Sequence, residues 1–118
     1  MSGLITPATG AAHARIAGIG AYRPRRVVPN SEIVEAIDSS DEWIQERSGI
    51  KTRHVAGEGE SVIDMSEAAV NGALEMAGME AGEIDAVVLA TVTHPYQTPA
   101  AAPALADRMG MDLSLIHI

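Results

Sequence analysis

With 118 residues, 47% hydrophobic and 20% charged, the chain is long enough to fold around one modest core and too apolar to be a disordered segment. Sixteen acidic against eight basic side chains leave a net charge of −8, which sets the surface as a whole against a polyanion such as nucleic acid. There is no cysteine, so disulfides, thiolate metal sites and a thiol nucleophile are excluded within the chain.

Residues 1–13 lack the basic start and apolar run of a secretory signal and read as a disordered arm. No stretch of about 18 apolar residues is available to cross a membrane, so a cytoplasmic protein without a membrane partner is expected. With no Phe, one Trp and two Tyr, the core falls to Ala, Val, Ile, Leu and Met, whose small size lets helices approach a sheet closely. Residues 14–21 (ARIAGIGA) read as a strand that buries Ile16 and Ile19, with glycines that admit a second backbone nearby. Residues 25–28, between Pro24 and Pro29, form a short extended piece. Asn30 suits the N-cap of a helix over 31–37, with Ile33 and Ile37 on one face. Ser39 and Glu42 have the spacing of a capping box for a second helix, which Gly49 is placed to end. Residues 51–55 follow as a strand.

The longest helix is predicted over 61–77, capped by Ser61 and Asp64, with Met65, Ala68, Ala69, Gly72 and Met76 as an apolar stripe and Gly78 as its stop. Residues 86–92 (AVVLATV) are continuously apolar, as in a central parallel strand covered on both faces. Residues 93–98 form a loop, and Thr98 and Pro99 suit the N-cap and first position of a helix running to Met109, ended by Gly110. This order of strands and helices predicts an α/β layered fold, with too few strands to complete a sheet around 86–92.

Two stretches invite a functional reading. Gly18 and Gly20 after the first strand suggest a dinucleotide-binding turn, but Arg23 stands at the third glycine position and Pro24 follows, so packing is the better account. The more informative stretch is 38–54, DSSDEWIQERSGIKTRH. Trp43 and Arg47 are four residues apart and share one helix face. An indole beside a guanidinium makes a flat cationic platform on which a purine can stack while a phosphate pairs with the arginine. The same spacing also fits an ordinary half-buried tryptophan beside an arginine paired with an acidic neighbour, and spacing alone leaves both open.

These residues resemble the N-terminal signature of the β-ketoacyl-acyl carrier protein synthase III family. In that family a Thr/Ser-Ser-Asp-Glu-Trp-Ile helix is followed by Arg, Thr/Ser, Gly, Ile and a second Arg. Ser39, Ser40, Asp41, Glu42, Trp43, Ile44, Arg47, Ser48, Gly49, Ile50 and Arg53 all fit. The similarity extends over residues 14–112, through RIAGIGAYRP at 15–24, the Ala-rich helix at 66–78 and LATVTHPYQTP at 89–99. It implies a thiolase-like layered α/β/α/β/α fold, of which this chain holds an incomplete N-terminal part. It implies an acyltransferase that condenses an acyl-coenzyme A primer with malonyl-acyl carrier protein, with decarboxylation, to start fatty acid synthesis. Coenzyme A enters as a thioester substrate, no cofactor or metal is permanently bound, and the complete enzyme is a homodimer.

By position, the resemblance gives Trp43 and Arg47 the coenzyme A adenine and phosphate, with Ser48 and Ser39 assisting. Thr98 falls where one subunit meets the partner's acyl pocket, and its small size suits a longer or branched primer. The family's catalytic Cys, His and Asn lie beyond the matching segment, so this chain alone is expected to be inactive. His13, His54, His94 and His117 are not substitutes, since no nucleophile or carboxylate pattern accompanies them. Residues 113–118 (LSLIHI) depart from the resemblance and match one reading frame of a transposon-end adapter used in sequencing libraries, so a non-native tail is expected; an edge strand is the alternative. Two further readings of the whole are a related condensing enzyme of polyketide or other secondary metabolism and a non-catalytic coenzyme A-binding module.

Overall fold

A computed structural model of the chain describes residue 10 and residues 12–112. The expected non-native tail at 113–118 lies outside the described residues, as does most of the expected N-terminal arm. The elements run β1 (Arg26–Pro29), α1 (Asn30–Val34), α2 (Asp41–Ser48), β2 (Thr52–Val55), α3 (Val62–Ala77), a 3₁₀ turn (Ala81–Glu83) and α4 (Ala101–Arg108). No helix among the described residues is long and apolar enough to cross a membrane.

β1 and β2 form an antiparallel pair in which Arg26 faces Val55, Val27 faces His54, Val28 faces Arg53 and Pro29 faces Thr52. The two short helices α1 and α2 are the excursion between these strands. The extended piece expected at 25–28 and the strand expected at 51–55 are therefore both present, as partners. His54, a strand residue, places Nδ1 2.6 Å from the Pro24 carbonyl oxygen and so ties β2 to the chain entering β1.

α3 starts as its sequence dictates. The Ser61 hydroxyl accepts from the Asp64 N–H at 3.2 Å, and Asp64 Oδ2 accepts from the Ser61 N–H at 2.8 Å, a reciprocal cap that satisfies two donors the helix cannot. α3 packs on two sides. Toward α4 it contributes Ile63, buried with Ala101 and Leu105, and Val62, Val70, Val87, Leu89, Ala104 and Met109 close around them. On another side the chain at 16–20 crosses it so closely that a Cβ on Gly18 would stand 2.1 Å from the Ala73 carbonyl oxygen, and one on Gly20 1.9 Å from that of Ala69. The two glycines are packing devices, as the failed dinucleotide pattern implies.

Several expectations are corrected. Residues 14–21 and 86–92 carry no strand ladder. A strand is defined by its hydrogen-bonded neighbour, and neither segment pairs with another among the described residues. Ile16 is accordingly 81% exposed and Ile19 is also exposed. Residues 86–92 are covered on one face only: Val87 and Leu89 pack on the core while Val88 and Val92 are 95% and 99% exposed. In the α3 stripe Ala68 and Met76 are exposed, because the helix spends its deepest face on Ile63 and Val70 instead. α1 begins at Asn30 itself, with Pro29 at the N-cap and no side-chain cap, and ends at Val34. α4 begins at Ala101, because Ala100 keeps an extended backbone (φ −61°, ψ 155°) and leaves Thr98 and Pro99 in the preceding loop.

Candidate functional site

α2 carries the residues that the sequence singles out. Its start is fixed by Ser40, whose hydroxyl accepts from the Trp43 N–H at 3.2 Å. The cap is thus one residue later than the Ser39–Glu42 spacing suggests. Asp41 and Glu42 occupy the first turn, where the helix dipole favours negative charge, and Gly49 ends the helix at φ +70°, a conformation that side chains resist. Between these two stops Trp43 and Arg47 lie one turn apart, with the guanidinium carbon of Arg47 5.0 Å from the centroid of the Trp43 ring. That is cation–π distance.

Trp43 is 54% exposed, half-buried as in an ordinary helix pair, so the separating observation is at Arg47. Arg47 makes no ion pair among the described residues, whereas Arg25, Arg26 and Arg108 each meet a carboxylate. A stacked guanidinium without a carboxylate keeps its donors for an outside acceptor.

A cavity of about 340 Å³ adjoins the platform, lined by Ile37, Asp38, Ser39, Ser40 and Trp43. The Ser39 hydroxyl is buried and has no hydrogen-bond partner among the described residues. A buried hydroxyl left unpaired costs free energy. Ser48 is differently placed. Its hydroxyl donates to the Ile44 carbonyl at 2.7 Å and accepts from the Ile50 N–H at 3.2 Å, so it serves the turn out of α2. Trp43 and Arg47 are therefore gathered at one surface, with Ser39 in the wall of the adjoining cavity and its hydroxyl buried, while Ser48 is engaged by backbone. Thr98 is exposed in the loop before α4, next to a separate cavity of about 400 Å³ lined by His94, Pro95, Tyr96, Gln97 and Ala100.

Two polar centres were not read from the sequence as sites. Asn30, 1% exposed, donates from Nδ2 to Asp41 Oδ1 and to the Ile50 carbonyl, both at 2.7 Å, and accepts from Arg53 Nη1 at 2.7 Å. With Gln45 donating to its other oxygen, Asp41 is held below the usual carboxylate range, chiefly by the Asn30 amide and then by Gln45. Glu60, also buried, accepts from the Tyr22 hydroxyl, the Arg25 N–H at 3.0 Å and the Gly57 N–H at 2.9 Å. The Tyr22 bond, followed by the Gly57 bond, holds Glu60 below the usual carboxylate range, and the same carboxylate pushes the Tyr22 hydroxyl above its ordinary value.

No family model matches the chain. It is 58% identical over 108 residues to β-ketoacyl-[acyl-carrier-protein] synthase III 1 of Streptomyces coelicolor, an alignment that takes in 92% of this chain and 32% of the relative. It is 49% identical over 106 residues to the mycobacterial β-ketoacyl-[acyl-carrier-protein] synthase III of Mycobacterium tuberculosis, over 90% of this chain and 32% of the relative. Among solved structures, the priming β-ketosynthase of the R1128 polyketide pathway superposes with a TM-score of 0.79 at 45% identity, over 83% of this chain and 29% of that one. The 3-oxoacyl-[acyl-carrier-protein] synthase III of Aquifex aeolicus gives 0.77 at 35% identity, over 82% and 31%. The chain spans about a third of the length of the relatives it matches. Identity of this order across the whole described region, together with a shared backbone, shows that the chain belongs to the β-ketoacyl-[acyl-carrier-protein] synthase III family and corresponds to the N-terminal third of its thiolase-like fold.

Proposed function

We propose that this chain supplies the coenzyme A-binding rim of a decarboxylating condensing enzyme that joins an acyl-coenzyme A primer to malonyl-acyl carrier protein. The observation that carries the reading is the exposed Trp43–Arg47 stack, whose arginine has no carboxylate partner among the described residues. Trp43 offers its face to the adenine and Arg47 its free N–H donors to a phosphate, with Ser39 lining the cavity beside them. Stacking and a charge-assisted hydrogen bond are what an adenine nucleotide requires of a protein surface. Ser48 acts through the turn that ends α2. The acyl-accepting thiol is not among these residues, since the chain has no cysteine. The enzyme is a cytoplasmic homodimer in this reading, with Thr98 reaching the partner's acyl pocket.

Trp43 is the only tryptophan, so its emission reports on the site alone. Titration with coenzyme A quenches that emission if adenine stacks on the indole, and coenzyme A lacking its ribose phosphate binds more weakly if Arg47 takes that phosphate. An emission that coenzyme A leaves unchanged, with no heat of binding by calorimetry, refutes the reading.

A second reading, priming of polyketide synthesis, is favoured by the 45% identity and TM-score of 0.79 to a polyketide priming synthase. The two share the platform and differ in the primer. A chimera carrying residues 14–112 on the remainder of the Streptomyces coelicolor relative separates them by its preference among acyl-coenzyme A primers.

A further inference from the structure

We infer that Asn30 is a positioning residue for the platform: one buried amide ties both ends of α2 and so sets the angle at which Trp43 and Arg47 meet their ligand. The inference rests on the coenzyme A reading for the identity of that ligand, and on geometry for the rest. α2 has eight residues and is about 12 Å long. Asn30 Nδ2 donates to the side chain of Asp41, the first residue of the helix, and to the carbonyl of Ile50, just past Gly49 where the helix ends. Its oxygen accepts from Arg53 of β2, and its backbone N–H donates to the Lys51 carbonyl at 3.3 Å. Trp43 and Arg47 lie between the two tethered ends.

The amide has the composition this task needs. Two N–H donors and a carbonyl acceptor on one planar group serve a carboxylate, a peptide carbonyl and a guanidinium together. Aspartate has no donor for the first two, and leucine has no polar atom for any. Ile44, buried beneath α2, holds the helix down but leaves it free to rock about its own axis. The tethers at the ends remove that freedom. A buried group with every valence satisfied in one geometry specifies that geometry, because each alternative leaves something unpaired.

The test uses the full chain in dilute solution and two readouts: the near-ultraviolet dichroism and emission of Trp43, and coenzyme A affinity by calorimetry. Asn30→Asp sets a carboxylate against Asp41 and the Ile50 carbonyl. It is expected to weaken coenzyme A binding about tenfold, the usual scale for removing an outer support, and to change the Trp43 spectra. The exchange Asn30→Asp/Asp41→Asn restores an amide-to-carboxylate bond with the roles reversed, and is expected to recover affinity to within about threefold, the Ile50 carbonyl still lacking its donor. Leu105→Ala, in the core between α3 and α4, is the control for stability alone and is expected to leave both readouts unchanged below its unfolding temperature. Should Asn30→Asp not fold, Asp41→Ala removes one tether and is expected to shift the readouts in the same direction.

The proposal is overturned if Asn30→Asp, or Asp41→Ala in its place, binds as the parent does with the same Trp43 spectra. It is equally overturned if the exchange recovers nothing, or if Leu105→Ala loses as much affinity as the Asn30 variant. A parent chain that ignores coenzyme A while its Trp43 spectra still respond to Asn30 and recover on exchange refutes the ligand and supports the positioning role.

Discussion

Trp43 and Arg47 make different contributions that single substitutions can separate. Arg47→Ala removes a charged donor and Trp43→Ala a stacking face, and each is expected to lower coenzyme A affinity by about 1–3 kcal/mol in calorimetry. Arg47→Lys keeps the charge but loses the planar fork, so it should recover only part of the loss. Elsewhere, Asp64 gives a pH signature. Its carboxyl, 3.8 in an ordinary setting, is lowered to about 2 by the Ser61 hydroxyl first and the Arg108 guanidinium next. A carboxyl depressed on folding stabilises above its unfolded value and loses that contribution as pH falls through its folded one. The advantage of the parent over Asp64→Asn in thermal unfolding should therefore be full above about pH 5 and fade between 3.8 and about 2. The platform was legible in the sequence because i,i+4 spacing is local. Asn30 was not, because its partners Asp41, Ile50 and Arg53 lie far along the chain and the local rule for asparagine at a helix start points to capping instead.

The short strands and the two capped helices were readable, and the fate of the two apolar segments at 14–21 and 86–92 was not, for a physical reason. The limits of α2 and α3 follow from residues at their own ends: Ser40 and Gly49 for one, Ser61, Asp64 and Gly78 for the other. Residues 14–21 and 86–92 have strand composition, but a ladder requires a neighbour that composition does not supply. What the chain at 14–21 does have is a crossing over α3, and that can be tested directly. A Cβ on Gly20 would stand 1.9 Å from the Ala69 oxygen and 2.5 Å from the Ala73 nitrogen, both backbone atoms that cannot turn aside. Gly20→Ala should destabilise by at least the 1–3 kcal/mol typical of overpacking, lowering the unfolding midpoint. Gly82→Ala, where no atom lies within 4 Å, is the matched change expected to be nearly silent.

The described residues leave large apolar side chains exposed in several places. Val88, Val92, Ile16, Ile19 and Met76 are all exposed, and a groove of about 400 Å³ between residues 16–18, α3 and residues 84–88 is lined largely by apolar side chains. Leaving even ~400 Å² of such surface in water forgoes about 10 kcal/mol, comparable to the net stability of a whole domain. The chain in isolation should bind a hydrophobic dye and self-associate with concentration. A monomer by size-exclusion chromatography at every concentration would contradict this. No acyl transfer to malonyl-acyl carrier protein is expected from it either, and turnover above a protein-free control would show otherwise.

The Glu60 carboxylate has a bearing on how this region opens. It accepts from Arg25, just before β1, and from Gly57, just after β2, so the entrance and exit of the β1–α1–α2–β2 excursion are latched to one pair of oxygens. Two amides that share an acceptor lose it in the same event. The Arg25 and Gly57 amides, distant in sequence, should show one common protection factor against exchange with solvent deuterium, lower in both when Glu60 becomes Ala. The excursion then behaves as a cassette whose two ends open together.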